Sequence, residues 1–140
     1  MDLYNGEILY YAAGTSPTLD LAIRPLKEAI ETVKDSRFRT TIHFDQGWQY
    51  RHKNRVKALK ENKVFQSMSR KGNCLDYSPM ENLFGILKQE MFYGEALCTV
   101  KELTERIERY IDYYNNKRIK QKLAGMSPVQ YRNHTSQLAV

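Results

Sequence analysis

Cysteine is scarce in this 140-residue chain, which carries two, Cys74 and Cys98. They show no CxxC spacing, so neither a zinc site nor a disulfide framework is expected. Long apolar runs are absent as well. The best candidate, around Ile8–Ala13, is interrupted by tyrosines and falls far short of the roughly 18 residues a membrane span needs. The first residues are acidic and polar, without the basic start and apolar stretch of a signal peptide. Internal repeats and low-complexity tracts are missing too. With 41% hydrophobic and 27% charged residues, the composition is globular and not that of a disordered tail. The length suits one domain. The expectation is a single soluble, cytoplasmic domain over residues 1–140, with no membrane partner.

Acids are the scarcer charge, 16 against 22 lysines and arginines, for a net +6. The excess is concentrated. Arg51, Lys53, Arg55, Lys57, Lys60, Lys63, Arg70 and Lys71 face a single acid, Glu61, in one stretch. Such a segment suits a polyanion, most often nucleic acid. It equally describes a solvated helix face followed by a loop, and charge alone leaves both open.

Asn5-Gly6, between Leu3-Tyr4 and Ile8–Tyr11, has the form of a hairpin turn over residues 2–13. Ser16-Pro17 opens a helix with Leu19, Ala22, Ile23, Leu26, Ile30 and Val33 at helical spacing, with a kink or late start at Pro25. Short strands are predicted at Thr40–Phe44 and Val64–Ser67, around a basic helix from His52 to Asn62 with Val56 and Leu59 inward. Met68–Tyr77 reads as a polar loop. Ser78-Pro79 starts a helix with Met80, Leu83, Phe84, Leu87 and Met91 along one stripe. Thr99 and Glu102 form a capping box for a helix whose apolar face holds Val100, Leu103, Ile107, Tyr110, Ile111 and Tyr114. A basic stretch after Asn115-Asn116 leads through Ser127-Pro128 to a short helix at Val129–Arg132. Strands alternating with helices, then a helical C-terminal half, make an α/β sheet domain.

Asp45 falls where a strand ends in a polar turn, and ligands of open α/β sheets bind beyond the carboxyl ends of strands. Glu81 lies in the first turn of the helix after the polar loop. Two such carboxylates could hold Mg²⁺, which takes oxygen ligands, and two ions would open phosphodiester chemistry. The same residues also fit a local role: Ser78 and Glu81 form a capping box, and Asp45 can cap its own turn. Lys88, seven residues beyond Glu81, projects from the same helix face, where it suits a DNA backbone and equally fits a plain solvent-exposed lysine.

Three stretches carry a family resemblance: His43-Phe44-Asp45-Gln46-Gly47-Trp48-Gln49-Tyr50, Ser67-Met68-Ser69-Arg70-Lys71-Gly72-Asn73-Cys74 and Pro79-Met80-Glu81-Asn82-Leu83-Phe84-Gly85. They closely resemble bacterial insertion-sequence transposases of the DDE type, which share the retroviral-integrase catalytic core. Residues 115–131, with Arg118, Leu123, Ser127 and Pro128, resemble the family's C-terminal end. The resemblance implies a ribonuclease-H-like fold and metal-dependent DNA cleavage and strand transfer with Mg²⁺ or Mn²⁺. It implies Asp45 and Glu81 as the second and third catalytic acids, since the 35 residues between them match the family's interval. Arg51, Lys53, Arg55, Lys57, Arg70, Lys71 and Lys88 would contact DNA, at transposon ends and target, in a homo-oligomer associated with the nucleoid.

The family's first acid stands on the opening strand of the sheet, and neither Asp2 nor Asp20 matches its motif. The resemblance therefore implies an incomplete fold, with the opening strand and a DNA-binding region upstream of Met1. A truncated core inactive by itself is the expectation, closing the gap by rearrangement or by pairing with another copy. The alternative is a non-catalytic DNA-binding or oligomerisation remnant. Phe44 and Trp48 stand where the family favours small polar residues, and Tyr77-Ser78 replaces a commoner Asn-Ala. Trp48 and Tyr50 could stack on splayed bases or pack beneath the loop. His43 is expected to pack or bond locally.

Overall fold

The computed structural model describes residues 1–70 and 78–138. Contacts divide the chain into two compact units, one formed by Met1–Leu9 with Asn82 onward, the other by Tyr10–Glu81. No helix among the described residues is long and apolar enough to cross a membrane.

In the unit of residues 10–81, helix α1 (Leu19–Val33) precedes strand β1 (Thr41–Phe44). The single-turn helix α2 (Trp48–Arg51), helix α3 (Lys53–Glu61) and strand β2 (Phe65–Met68) follow. The strands pair in parallel, Thr41 opposite Phe65 through Phe44 opposite Met68, because a helical crossover joins them. Leu26 and Ile30 from α1, Phe44 from β1, Leu59 from α3 and Val64 form the buried core. A late start of α1 at Pro25 does not occur: the helix is unbroken from Leu19, and the buried Leu26 and Ile30 follow the proline directly. Helix α3 ends in a Schellman closure. Val64 N–H donates to the Leu59 carbonyl (2.9 Å) and Lys63 N–H to that of Lys60 (3.1 Å), with Lys63 left-handed at φ 56°.

The expected hairpin at residues 2–13 is replaced by a single closed turn. Gly6, at φ 72°, donates to the Asp2 carbonyl (2.9 Å), and Asp2 N–H donates to that of Glu7 (2.8 Å). No strand ladder continues from it, because other partners take the backbone groups. The Asn115 side chain accepts from Ile8 N–H and donates to the Ile8 carbonyl, both at 2.9 Å. The Asn5 amide reaches the Pro128 carbonyl at 2.9 Å. Arg132 pairs with Asp2 and Glu7 at 3.1 and 2.8 Å.

Helix α4 (Ser78–Leu87) runs into a π-helical segment, Lys88–Phe92, which the apolar periodicity did not anticipate. Helix α5 (Val100–Asn116) opens on the capping box, with Thr99 Oγ1 accepting from Glu102 N–H and Glu102 accepting from Thr99 N–H. Its inner face buries Tyr110, Ile111 and Tyr114. A 3₁₀ turn (Gln121–Leu123) leads to helix α6 (Pro128–Leu138), longer than the four residues expected.

Candidate functional site

The site is built on the carboxyl end of β1. Asp45 leaves the strand half-buried, and its Oδ1 accepts from Gly47 N–H at 2.8 Å. The approach leaves little room at Gly47: a Cβ there would stand 3.0 Å from the Asp45 oxygen and 3.2 Å from the Tyr50 ring. Gln46 ties the turn to the neighbouring strand end through a 2.9 Å bond to the Ser69 carbonyl. Ser69 N–H extends the parallel pairing by donating to the Phe44 carbonyl at 2.9 Å. Arg70 therefore emerges, exposed, from the same end of the sheet as Asp45. Below the turn, His43 Nδ1 and Ser67 Oγ share a 2.9 Å hydrogen bond across the strands, the local role expected of that histidine.

Aromatic side chains divide between the two sides of the turn. Tyr50 packs inward, stacked on Phe44 with ring centres 5.2 Å apart. Burial pushes its phenol pKa up and the Asp45 charge adds to this, while Arg55 opposes. Trp48 faces out, 55% exposed.

The basic residues also divide. Arg51, Lys53 and Lys57 are exposed, with Lys57 3.7 Å from Glu61 along the solvent face of α3. Arg55, counted with them from charge, is instead 2% exposed. Its guanidinium carbon lies 3.7 Å from the Phe44 ring centre and 4.8 Å from that of Tyr50. Two aromatic faces, and the four-residue spacing that puts Arg55 on the same helix face as buried Leu59, draw it inward. That i, i+4 pairing was the available signal. Lys71 lies outside the described residues, as do Cys74 and the segment 71–77. Lys88, exposed, opens the π-helical segment.

Glu81 stands exposed in the first turn of α4, where the helix dipole favours an anion. Asp45 and Glu81 are hard oxygen donors of the kind Mg²⁺ takes. Among the described residues, however, no three His, Cys, Asp or Glu side chains come together to hold a metal ion.

A cluster that the motifs did not flag lies in the other unit. Arg118 grips Glu90 through Nε (3.0 and 2.9 Å) and Nη2 (2.6 Å), and Tyr110 donates to the same carboxylate at 3.0 Å. Arg118 holds the Glu90 carboxyl below its usual range, while burial, with Glu90 as acceptor, raises the Tyr110 phenol. These partners lie 20 and 28 residues apart, so no local motif joins them.

The integrase core domain matches residues 1–74, and a second form of the same domain matches residues 81–135. The chain is 41% identical over 135 residues to the transposase assigned to insertion sequence element IS150 in Escherichia coli K12, covering 96% of this chain and 47% of that protein. It is 44% identical over 134 residues to a transposase-like protein of Haemophilus influenzae, 96% of this chain and 61% of the relative. A transposase assigned to element IS1353 of Shigella flexneri is 34% identical over 142 residues, spanning 100% of this chain and 27% of its own length. The chain thus spans about half the length of the first curated relatives it matches. Integrase core domains share the ribonuclease-H-like fold and generally use divalent metal, and this chain, with its small parallel sheet and flanking helices, belongs to the integrase core domain family.

Proposed function

We propose that this chain is the catalytic-core segment of an insertion-sequence-type transposase, acting on chromosomal DNA. Asp45 and Glu81 supply two of the oxygen donors to Mg²⁺ or Mn²⁺, and a further donor must complete the set. Arg51, Lys53, Lys57, Arg70 and Lys88 track phosphates, while Arg55 holds the turn from inside. One observation carries the reading: Asp45 is fixed by Gly47 N–H at a strand's carboxyl end, with exposed Arg51 and Lys53 in the residues that follow. A carboxylate held beside solvated cations suits a phosphodiester better than it suits a cap alone.

The properties expected of the chain by itself are DNA binding and metal uptake at its two acids. Among the described residues the sheet has two strands, so each has one edge without a strand neighbour, and pairing with a second copy is the association we infer, readable by light scattering.

The test compares the chain with Glu81→Gln for affinity to labelled duplex and for Mn²⁺ binding followed by electron paramagnetic resonance. Equal duplex affinity, with Mn²⁺ bound by the parent and lost in the variant, is the expected result. Duplex binding without Mn²⁺ uptake by either chain would leave the second reading, a non-catalytic DNA-binding remnant in which the exposed Arg51, Lys53 and Lys57 act without a metal. Failure to bind duplex at low salt overturns both.

A further inference from the structure

We infer that Trp48 is a stacking platform for an unpaired base of the DNA strand, placed beside the carboxylate that faces the scissile backbone. The inference rests on the DNA reading above and goes beyond it, since it assigns a residue that recognises unpaired nucleotides.

Three observations support it. Trp48 is 55% exposed, while Tyr50, two residues on, is spent inward on Phe44 at 5.2 Å. A large apolar ring left in water next to a basic face has a natural partner in a nucleobase, which presents a π-face while its phosphate seeks a cation. The second observation is register. Trp48 and Arg51 are the first and last residues of α2, an i, i+3 pair whose side chains lie on neighbouring positions of one helix face. A base on the indole therefore brings its phosphate to the guanidinium. The third is anchorage. Trp48 follows the Asp45–Gly47 turn, which is pinned by Gln46 to Ser69 and by Asp45 to Gly47, and Gln49 binds the Pro17 carbonyl at 3.1 Å. The platform stands on a braced turn three residues from the acid. A paired base is already stacked on both faces within a duplex, so the ring selects frayed or single-stranded DNA.

Trp48 is the single tryptophan of the chain, so its emission reports this contact alone. The 140-residue chain is titrated with an oligothymidine of about 15 nucleotides and with a blunt duplex of equal length. Fluorescence anisotropy of labelled DNA gives occupancy independently of the indole. The expected result is strong quenching by the single strand, and little by the duplex at equal occupancy. Trp48→Ala should lower the preference for single strand over duplex about tenfold, by loss of one stacked base, and Trp48→Phe should restore most of it. Bound single strand without quenching, or an equal loss of both affinities in Trp48→Ala, overturns the stacking assignment while leaving the DNA reading standing. No binding of either DNA overturns both.

Discussion

The guanidinium of Arg55 lies over the Phe44 ring, 3.7 Å from its centre, and joins the helix behind the sheet to the last residue of β1. A buried cation on an aromatic face contributes through packing of its stem as well as through charge. Arg55→Ala is therefore expected to lower stability by about 2–4 kcal/mol, read as a fall in the urea midpoint. Lys53→Ala and Lys57→Ala, both in solvent, should change stability by less than about 0.5 kcal/mol. Each should instead reduce the slope of log affinity for duplex against log salt by about one. An Arg55 variant as stable as its neighbours would refute the division.

That contrast marks where the sequence was legible. The strands around Asp45, the run of α1 and the Thr99/Glu102 cap depend on neighbours within a few residues, and periodicity finds them. The hairpin at Asn5-Gly6 failed because its turn is local while its strand pairing is not. Ile8 gives its backbone bonds to Asn115, 107 residues away. Charge counting placed Arg55 in solvent because it ignores which face a residue shares with Leu59. The interval and motifs nominate Asp45 and Glu81 as a pair, whereas any third donor is a matter of long-range placement on which spacing is silent.

At Asp45 the acceptor role and the charge can be separated. Asp45→Asn keeps an oxygen to accept from Gly47 N–H, so the turn should survive, with stability within about 1 kcal/mol of the parent. The variant should lose Mn²⁺ uptake as Glu81→Gln does. Gly47→Ala offers the converse. Its methyl would press on the Asp45 oxygen and the Tyr50 ring, shifting the carboxylate without removing it. Weakened Mn²⁺ uptake with unchanged duplex affinity is the expected outcome, and an unaltered metal titration in both variants would remove Asp45 from the donor set.

Lys63 pays for the end of α3 with a left-handed backbone at φ 56°, a conformation a side chain disfavours by roughly 1 kcal/mol. Glycine there carries no such penalty, although it loosens the unfolded chain. Both Schellman bonds, and the burial of Val64 with Leu59 in one core, stay intact. Lys63→Gly should raise stability by about 0.5–1 kcal/mol, seen as a higher melting temperature. A lower one would mean that the lysine side chain does more than tolerate the turn.

The Glu90 cluster sets a pH dependence. Arg118 holds the folded carboxyl below its ordinary value, so the pair stabilises above the unfolded pKa of about 4.3 and loses that contribution as pH falls through the depressed folded value. Both groups are partly exposed, which keeps the contribution below about 1 kcal/mol. Tyr110 works at the other end. Its phenol is raised by burial and by Glu90, so its contribution is complete below about pH 10 and declines as pH rises beyond it. Urea midpoints of the parent and Glu90→Gln should differ at pH 7 and converge towards pH 3. A gap unchanged by acid would contradict the assignment.

Asn115 meets both backbone groups of Ile8 with one amide, its oxygen accepting and its nitrogen donating at 2.9 Å each. Ile8 is buried, so removing the amide leaves a donor and an acceptor away from water, and Asn115→Ala should cost about 2–3 kcal/mol. Asn115→Asp is the sharper probe. Its carboxylate still accepts from Ile8 N–H but faces the Ile8 carbonyl with a like-signed oxygen, so at pH 7 it should be as damaging as alanine. Protonation returns an O–H donor to that position. Relative to Asn115→Ala, the aspartate variant should therefore gain stability as pH falls below about 5, with the Ile8 amide regaining protection from hydrogen exchange. Two variants that follow one another at every pH would show that the amide fills space beside Ile8 without bonding it, leaving the N-terminal arm to Asn5, Arg132 and the Tyr4–Tyr131 ring contact.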